Sequence, residues 1–334
     1  MRYESSVLSI SWIPSEAVRG LGKAVFDQGI AHYDDPPPDV VATARELEDL
    51  RAADRFRFAN ELRAWIEVDD GRIVDFGQSG GGHIGVTRIN LGRTLTFQAV
   101  SMPEIRPAPE VGRGWVRFSQ TYGGRTGVPA PRPVPRRPFF RVAAPLVWTT
   151  LNLTVHVDGT SEHHVPGASP FPRHWIYDAS GRLVLKSGLT DFKDWARHAF
   201  GIHTPWGAED SPAVVSHVET ALERQLAATV MRGGAKPTIR KVKEGATVVE
   251  QGQPGDELYL LLDGVLRVEV DGQPVAEVGP GAILGERAVL EGGRRTSTLR
   301  ALTPCRVAVA PGDSIDRVAL KEVSAGHRRE DGRR

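Results

Sequence analysis

From Thr238 onward, apolar and polar residues alternate in short runs separated by glycine-bearing turns. In the run 265–270, Leu266, Val268 and Val270 face one way and Arg267 and Glu269 the other, the two-residue period of a half-buried strand. Asp263-Gly264 and Asp271-Gly272 read as two-residue hairpin turns, because both central positions of a type I′ turn need positive φ. The pattern predicts a small antiparallel roll or barrel. After a last alternating strand at 305–310, Asp313 or Ser314 is placed to cap a helix carrying Ile315, Val318, Ala319 and Val323.

The first 230 residues are mixed. Residues 44–65 predict an amphipathic helix with the stripe Leu47, Leu50, Phe58, Leu62 and Trp65, and at about 100° per residue Asp54 and Glu61 fall within it. Alternating segments follow, with turn signals at Asp69-Asp70-Gly71, Gly80-Gly81-Gly82, Val157-Asp158-Gly159 and Ser180-Gly181, so antiparallel hairpins are expected. Residues 103–145 are rich in proline and arginine, which suits connectors and edge segments better than central strands. Two further helices are expected. One covers 191–201, with Phe192, Trp195, Ala199 and Phe200 on one face, and the other is opened by Ser211 and Pro212 and carries Val215, Val218, Leu222 and Leu226.

Composition sharpens the division. All seven tryptophans lie between Trp12 and Trp206, and none follows 231–237, where Gly233, Gly234 and Pro237 suit a linker. The expected organisation is an α+β domain with an antiparallel sheet over 1–230, ending in a connecting helix at about 211–231. A linker at 231–237, a roll with short flanking helices at 238–327 and a charged tail at 328–334 complete it. Lysine plus arginine, 42, nearly equals aspartate plus glutamate, 41, so no global field draws the molecule to nucleic acid or an anionic membrane. No leader-like or membrane-spanning apolar run is present, and a soluble, cytoplasmic protein is expected. Cys305 is the one cysteine, which excludes an intramolecular disulfide and a cysteine-based structural zinc site.

The segment 281–301 carries the most specific chemistry. It reads Gly-Glu, a short helix with an alanine, a brief glycine loop, then an arginine and small residues opening a strand. In Gly285, Glu286, Ala288, Arg295, Thr296, Ser297 and Thr298 it resembles the phosphate-binding cassette of cyclic nucleotide-binding domains, and the glycine-punctuated run 250–264 resembles the hairpin upstream of it. The resemblance covers about 236–315 and implies a jelly-roll-like β-roll that binds cAMP or cGMP. Arg287 stands where the family has an apolar residue, and Gly293-Arg294 where glycine or proline precedes the arginine.

The residue types suit that ligand. A cyclic phosphate is a monoanion with two exocyclic oxygens, and a helix N-terminus offers it backbone donors and a favourable dipole. Arg295 adds a forked, permanently charged donor. Glu286, acceptor-only at neutral pH, suits a ribose 2′-hydroxyl. Thr296 can donate to the phosphate or to a purine substituent, which leaves the base open with a lean to cAMP. The site set is therefore Gly285, Glu286, Arg287, Ala288, Arg295, Thr296 and Ser297, with cAMP or cGMP as ligand and no metal.

In the related transcription factors a long dimer helix and a helix-turn-helix follow the roll; no room is expected for either at full length here, and no nucleic-acid partner is expected. Expected partners are the cyclic nucleotide and, admissibly, a second copy of the chain, with no membrane. The leading function is a sensor in which the roll controls the N-terminal domain; the alternatives are an allosterically regulated N-terminal enzyme, for which Asp54 and Glu61 are the candidate acids, or a ligand-free roll used for assembly. His156, Asp158, His163, His164 and His174 are read as surface or hairpin residues rather than metal ligands, because neighbours on a strand face opposite ways.

Overall fold

A computed structural model describes residues 1–14, 33–90, 92–127, 130–133, 137, 140–170, 172–187, 205–206, 215–217, 223, 226–227, 230 and 237–331. The chain divides into two units, Met1–Leu185 with Asp191–Ala213, and Lys186–Thr190 with Val214–Arg334.

In the first unit, helix formation stops early. Thr43 caps α1 (Ala44–Ala52) in a reciprocal capping box with Glu46. Asp54 then takes φ +58, and β2 (Phe58–Asp69) begins where the sequence predicts continued helix. The even positions Phe58, Asn60, Leu62, Ala64 and Ile66 are all buried, so the apolar set satisfies a two-residue period as well as a helical one. Pairing decides between them: β2 is hydrogen-bonded on both sides, to β1 (Arg2–Trp12) and β3 (Arg72–Ile84), and this outweighs local helix propensity. Asp54 and Glu61 therefore share no helical stripe.

One antiparallel sheet runs β10-β9-β1-β2-β3, with β9 Arg173–Tyr177 and β10 Leu183–Ser187. The second runs β8-β7-β6-β4, with β4 Val100–Ser101, β6 Trp115–Arg125, β7 Leu146–His156 and β8 Ser161–Ala168; a short β5 (Glu110–Gly112) also pairs with β6. The turns at Asp70-Gly71, Gly159 and Gly181 lie between strands as expected. Gly80-Gly81-Gly82, however, lies inside β3. A Cβ at Gly82 would overlap the Tyr122 ring, at 1.5 Å from its Cε1, so that glycine serves close approach between the sheets instead of a turn. Polar groups also bridge the sheets: Ser9 Oγ donates to Thr149 Oγ1 at 3.1 Å, and Gln120 Nε2 to Asn60 Oδ1 at 2.7 Å.

His174, on β9, is fully buried in this unit. A carbonyl oxygen only accepts, so Nε2–H donates to Ser169 O at 2.7 Å and Ser11 Oγ–H donates to Nδ1 at 2.6 Å, which fits a neutral ring. Burial is the largest cause that lowers its pKa from 6.5 to about 4. The unfolded chain thus binds a proton near pH 6.5 that the folded chain refuses until about pH 4. The stability this His contributes is complete above pH 6.5 and is lost progressively as pH falls to about 4, up to roughly 3 kcal/mol. Melting of the full chain followed by tryptophan fluorescence should show a fall from pH 6.5 to 5 that is markedly shallower in His174→Gln. Equal slopes would refute the assignment.

The second unit is a roll of two four-stranded sheets. One is ordered β11-β18-β13-β16, with β11 Thr238–Val242, β13 Glu257–Asp263, β16 Ile283–Leu284 and β18 Cys305–Pro311. The other is ordered β12-β17-β14-β15, with β12 Thr247–Val249, β14 Leu266–Val270, β15 Gln273–Val278 and β17 Thr298–Ala301. Asp271 and Gly272 both have positive φ and close the β14–β15 hairpin as predicted. Asp263-Gly264 does not make a hairpin: only Gly264 has positive φ, and β13 and β14 belong to different sheets, so this dipeptide carries the chain across the roll.

Alternation along β13 puts Leu258, Leu260 and Leu262 into one core and Tyr259 and Leu261 into another. Leu226 and Val230 join the first core, together with Leu320 and Val323 of α3 (Arg317–Asp331). Gly312–Ser314 form a single 3₁₀ turn, so α3 starts at Arg317, later than a cap at Asp313 or Ser314 predicts, and continues to Asp331. The helix expected at 191–201 and residues 231–236 lie outside the described residues. Of the one expected from Ser211, Val215–His217 is a strand, while Glu223, Leu226, Ala227 and Val230 are helical.

Candidate functional site

The segment between β16 and β17 contains α2 (Glu286–Glu291), flanked by Gly285 at φ +88 and Gly292 at φ +116. Glu286 and Ala288 are buried at its start, and Arg287 is half-buried. Beyond α2, backbone bonds tie the returning chain to the loop before β13. Gly255 N–H donates to Gly293 O at 2.8 Å, Arg295 N–H to Gln253 O at 2.9 Å, and Gly252 N–H to Arg295 O at 2.8 Å. These three bonds fix where the Arg295 side chain leaves the backbone.

Arg295 is only 4% exposed. Its Nη1 donates to Glu257 O at 2.8 Å and its Nη2 to the Tyr259 hydroxyl at 3.3 Å, while Cζ lies 4.9 Å from the Tyr259 ring centroid. No carboxylate among the described residues pairs with it directly. Two glycines make room for the guanidinium: a Cβ at Gly255 would lie 2.4 Å from Nη2, and one at Gly285 would lie 2.6 Å from Nη1. Gly285 also holds a left-handed φ that favours glycine. The predicted Gly285 and Arg295 are thus neighbours in space.

Thr296 is exposed and Ser297 half-buried, on the chain leading into β17. Neither hydroxyl has a hydrogen bond among the described residues. Sequence reasoning missed Gly255, Glu257 and Tyr259 as members of this cluster. Their only local signal is the two-residue spacing of Glu257 and Tyr259 on a strand, which puts both on the face toward Arg295.

Residues 239–322 match the family model described as the cyclic nucleotide-binding domain. That segment is a cyclic nucleotide-binding domain. Among curated proteins, the chain is similar to a cGMP-dependent protein kinase of Caenorhabditis briggsae, 33% identical over 63 residues (19% of this chain, 8% of the kinase). A cAMP-dependent protein kinase regulatory subunit of Yarrowia lipolytica is 31% identical over 84 residues (25% of this chain, 21% of the subunit). The chain therefore spans only a small part of the relatives it matches. Among solved structures, a cyclic nucleotide-binding domain from Methylobacillus flagellatus is 23% identical with a TM-score of 0.27, covering 33% of this chain and 79% of that one.

Outside the cyclic nucleotide-binding domain, the alternative acids do not converge. Asp54 accepts from Arg57 Nη2 at 2.8 Å, and Glu61 from Arg63 Nη2 at 2.8 Å. Glu61 does line a groove of about 480 Å³ in the first unit, with Arg2, Glu4, Arg63 and Asp178. Two ion pairs lie within the groove, Arg2 with Glu4 at 2.7 Å and Arg63 with Glu61 at 2.8 Å, Asp178 has Arg182 at 3.9 Å, and none of the residues that line it is a histidine, cysteine or lysine. His163 and His164 follow one another on β8, and among the described residues no cluster of three or more metal-ligating side chains is present. Nor is any helix among those residues long and apolar enough to cross a membrane.

Proposed function

We propose that the C-terminal domain captures a cyclic mononucleotide through the segment 285–297 and that its occupancy regulates the N-terminal unit. The observation that carries this reading is the buried Arg295 guanidinium with no carboxylate paired to it among the described residues. Burying a cation without a counter-charge is costly, and a site that accepts an anion recovers that cost on binding.

A cyclic phosphate suits the space held open by Gly255 and Gly285 beside the guanidinium. In this reading Arg295 and the backbone N–H groups at Gly285 to Ala288 hold the phosphate, Glu286 takes the ribose hydroxyl, and Thr296 and Ser297 supply further donors. Arg287 adds positive charge at the rim. cAMP is the preferred ligand, with cGMP the direct competitor at Thr296.

Regulation requires the ligand to favour one arrangement of the chain over another, so coupling is limited to the differential affinity, about 1 to 3 kcal/mol. Titration calorimetry of the full chain with cAMP and cGMP tests the first part, and hydrogen exchange over residues 1–185 at saturation tests the second. Heat of binding together with altered exchange there is expected. Absence of heat with both nucleotides would refute capture, and exchange changes confined to 237–331 would refute regulation.

A further inference from the structure

We propose that Tyr259 is a positioning residue for ligand capture, holding the Arg295 guanidinium in a fixed plane through its hydroxyl and its ring face. The proposal rests on the reading of Arg295 as the anion-binding residue and goes beyond it in naming what aims that residue.

The hydrogen-bond directions are forced by chemistry. Arginine cannot accept and a carboxylate cannot donate, so the Tyr259 oxygen accepts from Arg295 Nη2 at 3.3 Å and its O–H donates to Glu257 Oε2 at 2.8 Å. One hydroxyl thereby links the buried cation to an exposed carboxylate that does not touch it. The Glu257 carbonyl holds Nη1 at 2.8 Å, and two anchored nitrogens define the guanidinium plane. The ring 4.9 Å from Cζ supports the cation electrostatically.

Tyr259 is itself rigid. It is 2% exposed on β13, between β18 and β16, in register with Val309 and Leu284. Burial first, and then the hydrogen bond to Glu257, push its hydroxyl above the ordinary tyrosine range, so the bridging proton stays in place at neutral pH. A guanidinium held this way loses little rotamer freedom when an anion arrives, which is the benefit of preorganisation.

The test is a double-mutant cycle on the full chain with cAMP and cGMP as the probes. Tyr259→Phe keeps the ring and removes the bridge, and it should weaken binding by about 5- to 10-fold while melting stays close to that of the unmutated chain. In the Arg295→Ala background the same change should cost less than about twofold, because its effect passes through Arg295. As a second measurement, selective ¹³Cε-tyrosine labelling of the unmutated chain should show the Tyr259 resonance shifting at saturation, and not shifting in Arg295→Ala.

Equal losses in both backgrounds, or no loss in either, overturn the proposal and leave the ligand reading standing. A Tyr259 resonance that ignores bound nucleotide overturns it too, independently of how the variant folds. If the unmutated chain binds neither nucleotide, the ligand reading and this proposal fall together.

Discussion

Arg295→Ala is expected to weaken cyclic nucleotide binding by about 30- to 150-fold, the equivalent of roughly 2 to 3 kcal/mol for charge-assisted hydrogen bonds to the phosphate. The side chain also holds the Glu257 carbonyl and the Tyr259 hydroxyl, so its removal leaves two buried groups to be satisfied by water entering between Gly255 and Gly285. Against that loss stands relief from burying an uncompensated cation. The ligand-free chain should therefore melt within a few degrees of the unmutated one, while the rise in melting temperature produced by saturating nucleotide disappears. Calorimetry and ligand-dependent melting separate the two effects. An Arg295→Ala chain that binds as tightly as the unmutated one would remove Arg295 from the site.

Arg57→Met should destabilise the first unit by about 3 to 5 kcal/mol, because it strips a cation from two buried carboxylates at once. Arg57 Nη2 lies 2.8 Å from Asp34 Oδ1 and 2.8 Å from Asp54 Oδ1, and Nη1 donates to Val86 O at 2.9 Å. All three side chains are at most 7% exposed, so screening by water is small. For a unit of this size, tryptophan-detected melting should fall by about 10 °C or more. All seven tryptophans precede residue 207, so this signal reports on the first unit, whereas nucleotide titration reports on the second. A melting temperature unchanged by Arg57→Met would mean that the ion cluster contributes nothing net to folding.

The sequence by itself determined the parts that rest on local chemistry. Asp271-Gly272, between two alternating runs, predicted the tight hairpin that the structure shows, because aspartate and glycine accept the two positive φ values such a turn needs. The Gly285 to Ser297 segment was legible through its resemblance to the cassette of cyclic nucleotide-binding domains, and the structure brings its Gly285 and Arg295 together. Alternation in 266–270 announced a strand for the same reason of period.

Tertiary structure alone decided the rest. Residues 58–65 satisfy helical and strand periods together, and only β1 and β3 on either side of β2 made them a strand. Asp263-Gly264 has hairpin chemistry, yet its flanking strands lie in different sheets, a property of the closed roll that no dipeptide encodes. The glycines at 80–82 punctuate no turn: Gly82 accommodates a tyrosine forty residues away in sequence, Tyr122, and Gly80 the neighbouring strand's Glu61 carbonyl. Around Arg295, the same non-local principle applies: Gly255, Glu257 and Tyr259 reach the guanidinium through backbone pairing of the 252–255 loop with 293–295. Sequence spacing carries which atoms a strand presents on one face, whereas the partner they meet depends on how two distant segments pack.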